Sequence, residues 1–196
     1  KYFLFHSLSL FKDLKNNFIK TIYLAGGCFW CTEAVFQRIK GVQKVTPGYI
    51  DGLVKNPAYR EVCTGNTGHT EAIAVVYDPK EIGLADLLLI FFNTHDPTTL
   101  NRQGNDVGTQ YRSGIYYTEV KQKELALEVI QQLKTEKIFT NPIVTEVKEA
   151  TPFYTAEEHL DYYNQNTDQP YCTYIIDPKI KKLKTYFSNY IAIHNE

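Results

Sequence analysis

Two cysteines, Cys28 and Cys31, lie three residues apart at the boundary between two predicted elements. The short apolar run Thr21–Leu24 predicts a buried strand before them. A helix with one buried face is predicted after them, from apolar residues at helical spacing: Cys31, Ala34, Val35 and Ile39. Gly26 and Gly27 supply the sharp turn between the strand and the helix. Cys28 is therefore expected at or near a helix N-terminus.

This position determines the chemistry expected of Cys28. Unpaired backbone N–H groups and the positive end of the helix dipole favour an anion at a helix N-terminus. A thiolate is such an anion, so we expect a lowered pKa for Cys28 and more of the ionised form at neutral pH. The sequence thus predicts an activated sulfur nucleophile beside two large aromatic side chains, Phe29 and Trp30.

Two long polar connections, over residues 51–71 and 93–113, carry the other side chains that suit catalysis. These side chains are Tyr59, His69, Glu71, His95, Asp96, Arg102, Asp106, Tyr111 and Arg112. Long loops in a compact domain are often functional, and we expect both at the same end of the sheet as Cys28. A thiolate beside a proton donor and an apolar pocket suits the reduction of an oxidised sulfur. The cysteine would become a sulfenic acid, condense with a second thiol and be restored by an external reductant.

The elements that must position these residues follow an alternating pattern. Over residues 21–118 the predicted order is strand, helix, strand, strand, helix, strand, with the later elements at Val42–Ile50, Ala72–Tyr77, Leu84–Phe92 and Gly114–Tyr117. The strand Val42–Ile50 is expected to be broken at Pro47 and Gly48. This order predicts an α+β fold, a two-layer sandwich with a ferredoxin-like βαββαβ core and a mixed sheet.

Extra elements, including C-terminal helices, are predicted after this core. A helix is predicted at Glu119–Glu136 and a strand at Ile143–Val147. A capping box opens a predicted helix at Thr155–Tyr163, and a strand at Tyr174–Ile176 and a closing helix at Ile180–Phe187 follow.

The chain is expected to form a single catalytic domain over residues 21–196, after an N-terminal extension over residues 1–20. Hydrophobic residues make up 43% of the 196 residues, which predicts a globular protein. Charges interrupt the apolar spacing of the extension, so a surface helix is predicted there and not a membrane span. A net charge of −1 favours neither nucleic acid nor a stable membrane association. Four cysteines with one close pair indicate redox or metal chemistry in the cytoplasm, not a disulfide framework.

Several distinctive motifs follow one another between residues 21 and 190. They are Gly27-Cys28-Phe29-Trp30-Cys31-Thr32-Glu33, Gly48-Tyr49, the block Tyr59–Glu71, His95-Asp96-Pro97-Thr98, the block Asn101–Ser113, and Phe153-Tyr154 with Ala156-Glu157. In type and order these motifs resemble those of the A-type methionine sulfoxide reductases, the peptide-methionine (S)-S-oxide reductases. The resemblance covers essentially the whole domain and implies the same two-layer fold.

The resemblance implies a role for each residue around the oxidised sulfur. Cys28 would be the nucleophile and Glu71 the acid that protonates the sulfoxide oxygen. Tyr59 and Tyr111 would hold the same oxygen through their hydroxyls. Because Glu71 must carry a proton at neutral pH, we expect it to be partly desolvated, with a raised pKa.

The remaining contacts with substrate are implied in the same way. Phe29 and Trp30 would enclose the methyl group, and Asp106 would accept the backbone N–H of the bound methionine. His159 stands one residue early against the family's pattern, and Leu160 also departs from it, so a contact between His159 and the substrate is left open.

The substrate and reductant are also implied by the resemblance. The substrate would be methionine (S)-sulfoxide, free and in peptides or proteins. No metal or other cofactor is expected, and thioredoxin or a dithiol would recycle the enzyme. The resolving thiol is either Cys31 or Cys172, with a preference for Cys31. A monomer is expected.

Two other functions fit parts of the sequence. A dithiol–disulfide exchanger would use the same Cys28–Cys31 pair, but such a site seldom needs an acid and two tyrosines. A structural zinc site would use Cys28, Cys31, Cys63 and His69, although only one close cysteine pair is present. Outside a zinc site, Cys63 is expected to be a packed structural residue.

Overall fold

A six-stranded mixed sheet is the frame of the protein in the computed structural model, which describes residues 19–192. In chain order the strands are β1 (Lys20–Gly26), β2 (Val42–Ile50), β3 (Thr70–Tyr77), β4 (Arg102–Gln103), β5 (Asp106–Val107), β6 (Ser113–Tyr117), β7 (Glu146–Glu149) and β8 (Tyr154–Thr155). The sheet order is β7-β6-β1-β3-β2-β8, and β4 and β5 form a separate two-stranded ribbon. Neighbouring strands of the sheet are antiparallel, except for the parallel pair β6 and β7.

The helices connect these strands and extend the chain beyond them. They are α1 (Phe29–Phe36), α2 (Tyr59–Cys63), α3 (Leu84–Thr94), α4 (Val120–Thr135), α5 (Tyr162–Gln165) and α6 (Asp177–Tyr186), with short 3-10 turns at Thr109–Tyr111, Glu157–His159 and Ser188–Tyr190 and a π-helical turn at Cys172–Ile176. None of the helices in this described part of the chain has the length and hydropathy needed to cross a membrane. The helix expected within residues 1–20 falls almost wholly outside the described residues.

The central strands confirm the predicted α+β fold. β1 pairs with β3 on one side and β6 on the other, so each of the two strand–helix–strand units is split by a strand of the other unit. α1 lies between β1 and β2, and α3 lies between β3 and β6. Side chains alternate along these strands, so Ile22 and Leu24 of β1 join the main core, whereas Ala25 belongs to a smaller cluster. The helices therefore pack mainly on one face of a mixed sheet.

The expected break in β2 is wrong. The β2–β3 ladder runs through Pro47, which pairs with Ile73, and the irregularity falls between Val42 and Lys44. The Pro47 carbonyl accepts a hydrogen bond from the Ala156 N–H at 3.0 Å. Gly48 lies where a Cβ would collide with the Phe153 ring, so glycine lets this segment cover β2.

Three C-terminal predictions are also corrected. The strand expected at Ile143–Val147 begins at Glu146, where pairing with β6 becomes possible. The capped helix expected from Thr155 does not form, because Tyr154 and Thr155 pair with β2 and Asp161 then takes a left-handed conformation. The strand expected at Tyr174–Ile176 is instead the π-helical turn that leads into α6. In each case long-range packing overrides a local preference.

Candidate active site

Cys28 is the N-cap residue of α1, at the end of β1, as the sequence predicted. The turn before it requires Gly27, which has a φ of 87° and lies where a Cβ would collide with the Gln103 side chain. Cys31 lies in the first turn of the helix, and its N–H donates to the Cys28 carbonyl at 3.1 Å. Both cysteines are buried, with Cys28 8% exposed and Cys31 3%.

The expected lowering of the Cys28 pKa is wrong. Burial raises the pKa of Cys28 well above its usual value, and the neighbouring Cys31 and Glu71 add to the rise. A helix dipole contributes about 0.3–1 kcal/mol, which is less than one pKa unit, whereas burial shifts a pKa by up to about 3–5 units. The pKa of Cys31 is instead lowered to about 7 by a hydrogen bond from Cys28. Of the two thiols, Cys31 is therefore the one that ionises more readily.

Glu71 reaches the same helix terminus from β3. Its Oε2 accepts a hydrogen bond from the backbone N–H of Phe29, the residue after Cys28, at 3.0 Å. The residue is 2% exposed, and this burial raises the pKa of Glu71 to about 8. The desolvated acid expected from the sequence is thus present, and at neutral pH it carries a proton.

Tyr59 and Tyr111 come from two different segments next to Glu71. Tyr59 is the first residue of α2, and Tyr111 ends the 3-10 turn at Thr109–Tyr111. Burial raises the pKa of both hydroxyls, a hydrogen bond with Cys63 raises the pKa of Tyr59 further, and negative charge on Glu71 raises the pKa of both when that acid is ionised. Both hydroxyls therefore remain protonated at neutral pH.

Phe29 and Trp30 lie in an aromatic cluster whose centre is His159. The His159 ring lies 5.3 Å from the Phe29 ring and 4.4 Å from the Tyr59 ring, centroid to centroid. Trp30 Nε1 donates to His159 Nδ1 at 3.3 Å, and the indole stacks on Tyr162 at 3.6 Å. The sequence analysis missed Tyr162, because only the folded chain brings it to Trp30.

A cavity of about 360 Å³ adjoins the two cysteines. Its lining residues are Cys28, Cys31, Gln103, Gly104, Asn105, Asp106, Tyr171, Ile175 and Lys179. The Tyr171 hydroxyl donates to Asp106 Oδ2 at 2.8 Å and lies 3.8 Å from Cys31 Sγ. Tyr171 therefore hydrogen-bonds to the carboxylate for which the resemblance implies a substrate contact. Tyr171 was missed, although it directly precedes Cys172, a candidate resolving thiol.

The other two cysteines differ in their surroundings. Cys172 is fully buried in the same apolar cluster as Cys28 and Cys31, and burial raises its pKa. Cys63 is exposed at the end of α2, so its expected packing role is wrong. Within residues 19–192, no group of three or more His, Cys, Asp or Glu side chains is arranged to hold a metal ion. His69 Nε2 instead bonds to the Val54 carbonyl at 2.7 Å.

Other polar residues of the two long connections support the fold. His95 bonds to Ser113 Oγ at 2.8 Å, and burial lowers the pKa of His95 to about 3. Arg112 forms a 2.9 Å ion pair with Asp51. These contacts connect the loops to the sheet near the site.

Comparison with known proteins gives the family. The model of the family described as peptide methionine sulfoxide reductase matches residues 20–190. The chain belongs to the peptide methionine sulfoxide reductases. MsrA from Deinococcus radiodurans is 55% identical over 166 residues, which cover 84% of this chain and 81% of that protein. MsrA from Trichodesmium erythraeum is 52% identical over 175 residues, which cover 89% of this chain and 99% of that protein.

Solved structures agree with this family. Mxr1 from Saccharomyces cerevisiae in reduced form has a TM-score of 0.72 at 34% identity, and the match covers 79% of this chain and 89% of that one. Mxr1 in complex with Trx2 has a TM-score of 0.52 at 27% identity, with coverage of 75% and 88%. As a peptide methionine sulfoxide reductase, the protein is an oxidoreductase, and the predicted recognition and enzyme class are confirmed.

Proposed function

We propose that Cys28 and Glu71 together reduce methionine (S)-sulfoxide, free and in peptides or proteins. The observation that carries this proposal is the 3.0 Å hydrogen bond between Glu71 Oε2 and the Phe29 N–H. It supports a direct role for Glu71 because it holds a buried, protonated carboxyl beside the residue that bears the nucleophilic sulfur. The S-epimer is the one reduced by the family to which the chain belongs.

In the first step the Cys28 sulfur attacks the sulfoxide sulfur. Glu71 gives its proton to the sulfoxide oxygen, while Tyr59 and Tyr111 donate hydrogen bonds to the same oxygen. The oxygen is transferred to the Cys28 sulfur, which becomes a sulfenic acid, and methionine is released. The sulfoxide sulfur gains two electrons and the Cys28 sulfur loses two. The proton that Cys28 gives up restores Glu71.

Phe29, Trp30 and Asp106 would hold the substrate during this step. The two aromatic rings offer an apolar surface for the methyl group. Asp106 accepts the backbone N–H of the substrate once Tyr171 has released it. No metal or other cofactor takes part, which metal analysis of the purified protein tests, since stoichiometric zinc would contradict it.

In the second step Cys31 resolves the sulfenic acid. The Cys31 sulfur attacks the Cys28 sulfur and a Cys28–Cys31 disulfide forms, while the sulfenic hydroxyl takes the proton that the Cys31 thiol has given up and leaves as water. Cys31 is favoured over Cys172 because its pKa is lowered to about 7 and it lines the same cavity as Cys28, whereas burial raises the pKa of Cys172. Mass spectrometry of the disulfide after one turnover without reductant decides between them, and a Cys28–Cys172 link would contradict this order.

Thioredoxin then reduces the disulfide by thiol exchange, or a dithiol does so in vitro. The complex of the related Mxr1 with Trx2 supports this partner. We place the cycle in the cytoplasm, where thiols are kept reduced, in a monomer whose catalytic domain spans residues 21–196 after an extension over residues 1–20.

The decisive experiment compares separated sulfoxide epimers as substrates for the wild-type protein and Cys28→Ser. The wild type should consume the S-epimer only and lose two free thiols per turnover when no reductant is present. Cys28→Ser should be inactive. Disulfide exchange without sulfoxide reduction would favour the dithiol exchanger instead.

A further inference from the structure

The three groups proposed to act on the sulfoxide oxygen come from three separate segments. Glu71 lies near the start of β3, Tyr59 begins α2, and Tyr111 ends a 3-10 turn. Groups that stabilise one oxygen must hold their geometry closely, because a misplacement of about 1 Å can lower the rate by about 10²-fold. Contacts between these segments therefore matter for the reaction.

Gln110 contacts all three segments. It is 5% exposed, and its Nε2 donates to the carbonyl of Cys63, the last residue of α2, at 3.2 Å. Its own carbonyl accepts a hydrogen bond from Thr70 Oγ1 at 3.0 Å, and Thr70 directly precedes Glu71. Tyr111 is the next residue along the chain.

The turn that carries Gln110 is itself held on both sides. Thr109 Oγ1 donates to the Gly65 carbonyl at 3.3 Å, which is a second link to the end of α2. Arg112 Nη1 donates to the Thr109 carbonyl at 2.9 Å. At Gly108 a Cβ would collide with the Gln110 side-chain amide, so the glycine leaves room for that amide.

We propose that Gln110 is a positioning residue for sulfoxide reduction, because its side-chain amide fixes α2, and with it Tyr59, against the turn that carries Tyr111. The inference rests on the proposed roles of the two tyrosines. Gln110 itself touches neither the sulfur nor the oxygen. Its side chain acts on the distance between the two hydroxyls, whereas its main-chain bond to Thr70 does not depend on residue type.

The test uses two matched substitutions, Gln110→Glu and Gln122→Glu. Gln122 is also buried, at 2% exposed, and its Nε2 donates to a carbonyl, that of Thr21, at 2.9 Å. Thr21 lies at the opposite end of β1 from Cys28. Each substitution keeps the shape of the side chain but replaces its N–H donor with an acceptor. A purely structural effect should therefore appear in both variants.

The expected result separates catalysis from folding. Gln110→Glu should lower kcat for sulfoxide reduction by roughly 10²-fold, with KM changed by less than about threefold. Alkylation of Cys28 by iodoacetamide, which needs no oxygen-binding groups, should keep its rate. Gln122→Glu should keep kcat within about twofold of wild type. Equal losses in both variants, or normal kcat in Gln110→Glu, would overturn the proposal.

A double-mutant cycle then asks whether Gln110 acts through the tyrosines. In a protein carrying both Tyr59→Phe and Tyr111→Phe, adding Gln110→Glu should lower kcat by less than about threefold, because the hydroxyls that it positions are gone. If Gln110→Glu still lowers kcat by roughly the full 10²-fold in that protein, the proposed role of Gln110 is overturned but the roles of the tyrosines are not. Normal activity of the double tyrosine variant would instead overturn the proposed roles of the tyrosines. If Gln110→Glu does not fold, Gln110→Met, which buries no charge, takes its place in both tests.

Discussion

At the scale of single residues, the protonation states of Cys28 and Glu71 depend on each other. Burial raises the pKa of Cys28, and a charged Glu71 raises it further. Burial also raises the pKa of Glu71 to about 8. A protonated Glu71 no longer opposes ionisation of the thiol, so the site disfavours two simultaneous negative charges. Cys28 therefore ionises more easily while Glu71 is protonated. This combination of an ionised sulfur and a protonated acid is the one that the reaction needs.

The pH dependence follows from the Glu71 pKa of about 8. Single-turnover reduction of the sulfoxide should stop rising above about pH 8, because Glu71 then loses the proton that it must donate as fast as Cys28 gains its negative charge. Alkylation of Cys28 by iodoacetamide should continue to rise over the same range, because it needs only the thiolate. Both rates are measured from pH 6 to pH 10 by mass spectrometry of the Cys28 peptide. Parallel curves through pH 9 would remove Glu71 from the acid role.

Substituting the acid tests the same residue at fixed pH. Glu71→Gln should slow sulfoxide reduction by about 10²-fold or more, since the amide cannot donate the proton that the oxygen needs. The variant should remain folded, because an uncharged side chain already fits this buried position. Single-turnover kinetics and circular dichroism are the measurements. Near-wild-type turnover in a folded variant would show that another group protonates the oxygen.

At the scale of elements, the C-terminal segment closes one side of the site. The π-helical turn at Cys172–Ile176 continues into α6, which places Tyr171, Ile175 and Lys179 along the cavity. The Tyr171 hydroxyl of this segment donates a hydrogen bond to the Asp106 carboxylate. Under the role proposed for Asp106, the segment competes with the backbone of a substrate for the same carboxylate.

Tyr171→Phe should therefore lower KM. A hydrogen bond to a charged group contributes about 1.5–3 kcal/mol, so releasing Asp106 should improve KM by roughly tenfold. Tyr163→Phe is the matched control, because Tyr163 donates to Asp177 at 2.6 Å and lines no part of the cavity. Steady-state kinetics with a peptide sulfoxide measure both variants. An unchanged or higher KM in Tyr171→Phe alone would contradict the competition.

At the scale of the whole molecule, the buried acids reduce stability at neutral pH. Burial raises the pKa of Glu33 to about 7 and that of Glu71 to about 8, whereas an unfolded chain leaves both near 4.5. An acid whose pKa is raised in the folded state binds its proton more tightly there than in the unfolded chain. Its contribution to the free energy of unfolding is therefore fully present only below the unfolded pKa. Stability is then lost as the pH rises toward the folded pKa.

Removing the carboxyl should remove this dependence. Relative to the wild type, Glu71→Gln should gain stability between about pH 4.5 and pH 8, by a few kcal/mol in total. Urea denaturation at pH 5 and pH 8.5 measures the difference. Gln122→Glu is the control, because it introduces a buried acid far from the site, whereas Glu71→Gln removes one. The stability of Gln122→Glu relative to wild type should therefore fall over the same pH range. A constant difference between Glu71→Gln and wild type would show that Glu71 ionises freely.

The amino-acid sequence by itself determined the elements with a strong local period, and with them the place of the nucleophile. The pattern around β1, α1, β3, α3 and α4 is repeated within each segment, so short-range information was sufficient. The two glycines before Cys28 and the motif blocks likewise lie within short stretches of chain. For this reason the fold class, the family and the helix N-terminus at Cys28 followed before any coordinates.

Only the tertiary structure decided which distant groups meet at the site and in which protonation state. The contacts of Tyr171 with Asp106 and of Gln110 with α2 join residues 65 and 47 positions apart. The Cys28 pKa was mispredicted because the helix N-terminus is visible in a local pattern, whereas burial is the sum of everything packed around the sulfur. Desolvation is the larger effect, and it exists only once the chain has folded.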